Sequence, residues 1–131
     1  MNLPDIAGLP AELGITDLYA EPGLARASLT VAPKHLAPIG RLHAGTSVTL
    51  ADTVCGYGCL ASLPDGATGF ATSTITSHHV STAEVGDSLA VEARLVHGGR
   101  TTQLWEAGVH RTSDGKLVTT VRVLQQLLYP R

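Results

Sequence analysis

Apolar and polar residues alternate along four stretches of this chain and lose that alternation in one. Residues 24–32 (LARASLTVA) put Ala25, Ala27, Leu29 and Val31 on one face, the period of a half-buried strand. Residues 88–97 (SLAVEARLVH) align Leu89, Val91, Ala93 and Leu95 in the same way. Residues 101–111 align Trp105, Ala107 and Val109, and residues 116–128 (KLVTTVRVLQQLL) close the series. Residues 69–80 (GFATSTITSHHV) are rich in β-branched side chains and predict a further strand. Gly98-Gly99-Arg100 and Ser113-Asp114-Gly115 have the composition of hairpin turns, so the last three strands are expected to form an antiparallel meander.

The exception is residues 44–62 (AGTSVTLADTVCGYGCLAS), where Val48, Ala51, Val54, Cys55 and Leu60 recur at helical spacing. Leu50 and Ala61 spread the apolar surface round most of the cylinder, which predicts a buried helix. Gly56 and Gly58 each cost such a helix about 1 kcal/mol against alanine, and close approach of another backbone is the expected compensation. Leu63-Pro64-Asp65-Gly66 ends the helix. Residues 1–23 read as a lead-in, with a short helix opening at Pro10, and residues 24–131 as the domain proper. One strand, one buried helix and four further strands make an α+β plan, an antiparallel sheet of five or six strands curled around a single helix.

Within that helix one residue is out of place. Between Glu21 and Asp65 the only acid is Asp52, flanked by Leu50, Ala51 and Val54. Removing an ionised carboxylate from water costs several kcal/mol unless it is paired or meets a polar cleft. No lysine or arginine stands three or four residues away to pair with it. Asp52 is therefore either a functional group or a side chain bonded to a hydroxyl such as Thr49 or Thr53. His43-Ala44-Gly45-Thr46 precedes the helix, where free N–H groups and the positive dipole end favour an anion, including an oxyanion formed in acyl transfer.

Leu42-His43-Ala44-Gly45 followed by Leu50-Ala51-Asp52-Thr53 closely resembles the "L-H-G-G … L-A-D" signature of hot-dog thioesterases of the phenylacetate-degradation and 4-hydroxybenzoyl-CoA types. The resemblance continues through Val85-Gly86-Asp87, Gly99 to Glu106, and Asp114 to Val118, covering residues 24–131. It implies a hot-dog fold and hydrolysis of an acyl-CoA thioester, CoA being part of the substrate and no separate cofactor being required. By position, Asp52 would be nucleophile or general base, and His43 would orient the thioester. The Ala44 N–H, with Gly45, would polarise its carbonyl. Thr72 matches a strand hydroxyl that places water or substrate, and His78 a position lining the acyl region. His97, Gly98, Gly99 and Arg100 lie in the turn that meets the coenzyme A nucleotide.

Ala44 stands where the family has glycine, and the Ala37–Leu42 loop lacks the asparagine many relatives carry. These departures motivate a second reading, an acyl-CoA-binding protein of little or no activity. A third, a hot-dog dehydratase, uses a different motif that this sequence lacks.

Ala44 and Asp52 are eight residues apart, about 12 Å along a helix at 1.5 Å per residue. An attacking oxygen must sit about 3–3.5 Å from the carbonyl carbon. One helix cannot hold both groups around one thioester, so two chains must meet, in agreement with the hot-dog dimer. The resemblance extends this to a homotetramer. Charged residues are only 15% of the chain and apolar residues 44%, which also points to surface buried between copies.

A net charge of −2 gives no basic footprint for nucleic acid. No apolar run reaches the roughly 20 residues of a membrane span, and Met1–Pro10 does not read as a secretory signal. Cys55 and Cys59, four apart, suit a reducing cytoplasm. With no second cysteine pair they do not predict a metal site. His78 and His79, adjacent on a strand, point to opposite faces and cannot chelate one ion.

Overall fold

The computed structural model describes residues 3–131. A short helix, α1 (Gly8–Leu13), leads into strands β1 (Thr16–Glu21) and β2 (Leu24–Thr30), then a single 3-10 turn at Pro33–His35 and the long helix α2 (Ala44–Ala61). Strands β3 (Gly69–His79), β4 (Ser88–Gly98), β5 (Thr102–Arg111) and β6 (Leu117–Leu128) complete the chain. All pairings are antiparallel, in the order β1-β2-β4-β5-β6-β3, with β1 and β3 as the two edges. The sheet wraps α2, which touches all six strands. This is the hot-dog architecture that the motif implied.

The predicted faces form the core. Ala25, Ala27 and Leu29 of β2 with Val31 just after it, Leu89, Val91 and Ala93 of β4, and Trp105, Ala107 and Val109 of β5 are all buried in one core with Leu50, Ala51, Val54 and Cys55 of α2. The expected meander is β4-β5-β6.

The sheet begins before residue 24. β1 pairs with β2 through Glu21↔Leu24, closing a hairpin on Pro22-Gly23. Proline followed by a glycine at φ 83° is the type II turn pattern. The β1 ladder is interrupted between Thr16 and Tyr19, where Asp17 takes φ 55°, and only Leu18 and Ala20 pack inward on the core, too short an alternation to read. Helix α1 starts at Gly8, so Pro10 is its third residue, within the first turn where its missing N–H costs no bond.

The helical glycines admit rings. A Cβ on Gly56 would lie 2.8 Å from Phe70 Cζ, and one on Gly58 would lie 2.6 Å from the Trp105 ring. What approaches α2 is thus an aromatic face on the sheet, where a second backbone was expected.

A bulge decides which way β3 faces. Its register with β6 runs Phe70↔Leu127 and Thr72↔Gln125, then slips at Ser73 and resumes as Thr74↔Leu124 and Ile75↔Val123. Since Val121, Val123, Gln125 and Leu127 point inward, Phe70 and Thr72 face α2 before the bulge, and Ile75, Ser77 and His79 after it.

Candidate active site

Asp52 sits midway along α2 and is partly buried. Thr72, on the inner face of β3 before the bulge, lies with its Oγ1 3.2 Å from Asp52 Oδ1. Among the described residues no salt bridge includes Asp52. Burial holds its carboxyl above the usual carboxylate range, and the Thr72 hydroxyl partly offsets that rise. A carboxylate of this kind is a stronger base and nucleophile than one in water.

A pocket of about 250 Å³ opens beside it, lined by Pro4, Pro10, Thr53, Gly56, Tyr57, Leu60 and Phe70. The N-terminal segment supplies one wall, pinned where the Tyr57 hydroxyl donates to the Pro4 carbonyl at 2.9 Å. Tyr57 thus holds the wall in place. Nothing in the pattern of residues 3–10 signalled this wall, because its only apparent partner is a tyrosine fifty-three positions on.

At the N-terminal tip of α2, His43 is the N-cap, and its Nδ1 accepts the Gly45 N–H at 2.8 Å. Nδ1 is therefore unprotonated, and a neutral ring carries its proton on Nε2. A Cβ on Gly45 would lie 3.0 Å from Nδ1, so glycine is what allows the ring to fold back. The cap also changes the expected division of labour. The Gly45 amide is already bonded, and Ala44 is left as the backbone donor at the helix tip. The loop is held from behind by the His35 carbonyl, which accepts the His43 N–H at 2.9 Å and the Thr46 hydroxyl at 3.1 Å.

Thr72 is brought to Asp52; His78 is not. The Ser73 bulge turns His78 to the outer face of the sheet, in a groove with Thr76, Glu106, Thr120 and Arg122. His97, Gly98, Gly99 and Arg100 form the β4–β5 turn, with His97 and Arg100 exposed. Gly99 donates to the Thr102 carbonyl at 2.9 Å. A Cβ there would crowd both that carbonyl, at 3.3 Å, and the His97 ring, at 3.0 Å. The register Thr72↔Gln125↔Gln103↔Gly98 puts this turn at the same end of the sheet as Asp52, about 14 Å away at 4.8 Å per strand.

Sequence reading passed over Gln125. It stands on the inward register of β6 after Val121 and Val123, is wholly buried, and lies with Oε1 3.1 Å from Thr72 Oγ1. The signal was available: a glutamine at an apolar phase of a strand is as conspicuous as an acid in an apolar helix.

Among the described residues no cluster of His, Cys, Asp and Glu could hold a metal ion, and no helix is long and apolar enough to cross a membrane. Cys55 and Cys59 are free and buried. Burial raises both thiols, Cys59 to about 12, so neither is a thiolate at neutral pH.

A sheet wrapped around a helix that bears a half-buried carboxylate, with a histidine-capped amide at the helix tip, defines a class of acyl-transfer protein. The Thioesterase superfamily model matches residues 39–118, and the chain belongs to that family. It is a thioester hydrolase. A 1,4-dihydroxy-2-naphthoyl-CoA hydrolase of Listeria monocytogenes is 32% identical over 76% of this chain and 79% of its own. The proofreading thioesterase EntH of Klebsiella pneumoniae is 33% identical over 86% of this chain and 80% of its own. In fold, the chain resembles smu.793 of Streptococcus mutans, solved bound to acetyl CoA. That likeness has a TM-score of 0.86 at 21% identity and covers 100% and 99% of the two chains.

Proposed function

We propose that this chain hydrolyses acyl-CoA thioesters at a site shared by two subunits. Asp52 of one would supply the reacting carboxylate, and His43 and Ala44 of the other would hold the substrate carbonyl. The observation that carries this reading is the solitary Asp52, set at an apolar pocket and bonded to Thr72, on a helix whose donor tip lies about 12 Å away. The middle of α2 and its N-terminal tip would each offer half of what acyl transfer needs. A second copy in antiparallel apposition would supply the other half.

The edge strand β3 supports such pairing. It is 11 residues long, mostly exposed, and presents Ile75 at 40% exposure beside an unpaired row of backbone groups. A long open edge is a template for another strand. The homotetramer implied by the resemblance would follow from a second contact between dimers, and sedimentation or mass photometry would count the subunits. Buried, unpaired thiols fit a cytoplasmic setting.

In the reaction, the Ala44 N–H would bind the thioester oxygen as negative charge builds on it, with the His43 Nε2–H orienting the group. Asp52 would then act in one of two ways. As nucleophile it forms an acyl–Asp52 anhydride and expels the CoA thiolate, and water later cleaves the anhydride. As general base it takes a proton from water, whose oxygen attacks the carbonyl and displaces the same thiolate. Rapid-quench detection of acyl–Asp52 during a single turnover separates these, because only the anhydride route forms that covalent intermediate. The acyl-CoA class is supported by the Listeria relative, named for a CoA thioester, and by the acetyl CoA bound to smu.793.

The bonded Gly45 amide and the methyl of Ala44 favour the second reading, a CoA-thioester binder without turnover. Thiol release from a panel of acyl-CoA thioesters, wild type against Asp52→Ala, decides between them. Turnover lost in the variant supports hydrolysis; tight CoA binding without turnover in the wild type supports the binder.

A further inference from the structure

Thr72 has one hydroxyl proton and two oxygens within reach, Asp52 Oδ1 at 3.2 Å and Gln125 Oε1 at 3.1 Å. With the amide turned this way, Gln125 Nε2 is buried and has no acceptor among the described residues. Two features are thus unfavourable together. The carboxylate competes for its only hydroxyl proton, and two amide protons go unused where an unmade bond costs about 1–3 kcal/mol. The register partner on the far side brings no relief. Gln103 Nε2 donates to the Ser62 carbonyl at 2.9 Å, and Gln103 Oε1 accepts the Trp105 indole N–H at 2.7 Å.

One rotation removes both faults. The oxygen and nitrogen of an amide occupy nearly the same volume and are told apart only by their bonds. Turning Gln125 by 180° puts Nε2 where Oε1 stands, within bonding distance of Thr72 Oγ1. The amide then donates to the hydroxyl, and the hydroxyl donates to Asp52. The carbonyl oxygen takes the buried position without a partner, which is less costly than an orphaned N–H.

We propose that Gln125 is a positioning residue that acts through Thr72, in a one-directional chain from the Gln125 amide to the Thr72 hydroxyl to Asp52 Oδ1. The chain fixes which way the Thr72 proton points and holds one Asp52 oxygen, leaving Oδ2 for the thioester. The catalytic consequence rests on Asp52 being the reactive carboxylate; the direction of the chain does not. The titratable groups about Asp52 are Cys55 and Tyr57 on its own helix and Asp5, beside Tyr57, on the N-terminal segment that walls the pocket, and the strands packed against it present the neutral Thr72 and Gln125.

The test is a carboxyl-13C titration of Asp52 in wild type and in Gln125→Met, which keeps the length of the side chain and removes its donors. The chain predicts that the Asp52 midpoint rises by about 0.5–1 pH unit in the variant. It predicts the same displacement in the acid limb of kcat/KM, with kcat reduced several-fold and KM little changed. If the Gln125 carbonyl instead competes for the Thr72 proton, its removal lowers the midpoint, and an unchanged or lowered midpoint overturns the proposal. In the wild type, the Gln125 side-chain amide resonances should move with the Asp52 titration and show proximity to the Thr72 methyl. Amide signals indifferent to that titration overturn it even if the variant fails to fold. A raised midpoint with no turnover of any thioester would leave the chain standing and sink only the hydrolytic reading.

Discussion

The middle of α2 and its N-terminal tip make opposite use of the same helix. Asp52 is partly buried, with an apolar pocket on one side and, on the other, Thr72 backed by the buried Gln125. Around His43 the surroundings are wet, and His43, Ala44 and Gly45 are all exposed. The drier middle raises the basicity of a carboxylate by withholding solvent. The exposed end costs nothing to keep polar, because its backbone donors are the ones every helix leaves unpaired. A reacting thioester needs both, and rigid helix geometry keeps them apart in one chain. On the proposed reading, that separation leaves the isolated chain with two half-sites.

The largest expected effect comes from removing the drier half. Asp52→Asn should lower kcat by roughly a thousandfold, measured as thiol release, with the oligomer intact. The sharpest test of the division pairs that variant with His43→Ala. Each alone should be nearly inactive, and mixed subunits should recover activity that neither has. Failure of properly mixed subunits to recover any would place both groups in one chain and break the comparison.

A control lies on the far side of α2. Gly58→Ala would drive a methyl into the Trp105 ring, 2.6 Å away, and should cost about 1–3 kcal/mol of stability, read from denaturant midpoints. At the wet end, Gly45→Ala meets the His43 ring at 3.0 Å and should loosen the cap, at about 1 kcal/mol. Its mark should be a loss of activity larger than its small loss of stability explains.

The smallest effect is a dependence of stability on pH. Burial raises the Asp52 carboxyl in the folded chain above its unfolded value, so the folded state binds the proton more tightly. That contribution is fully present below the unfolded value, near pH 4, and is lost as pH rises through the folded one. Asp52→Asn should therefore gain stability relative to wild type as pH climbs over that window, and melting temperatures across pH 3–8 should show the difference widening and then levelling. Activity runs the other way, since only the ionised carboxylate attacks or accepts a proton. Rate should fall as pH drops through the raised value.

The inner faces of β2, β4 and β5 and the buried character of α2 were legible because period-two and period-3.6 spacing is local and survives without tertiary information. β1 was not, since its ladder is broken near Asp17 and only Leu18 and Ala20 pack inward, too short an alternation to read, although Pro22-Gly23 marked its turn. Asp52, His43 and Thr72 could be singled out from an acid in an apolar helix and from the motif around it. Gln125 could have been found by the same rule applied to β6.

By itself, then, the sequence determined five of the six strands, which helix is enclosed, and that a lone carboxylate lies within it. Only the tertiary structure decided that a single-residue bulge at Ser73 turns Thr72 toward Asp52 and His78 away, that the Gly45 amide is spent on the His43 ring, and that Gln125 stands behind Thr72. The reason is physical. Spacing along a chain fixes the phase within one element, whereas the register between elements, and the partner each buried polar atom finds, depend on residues far apart in sequence.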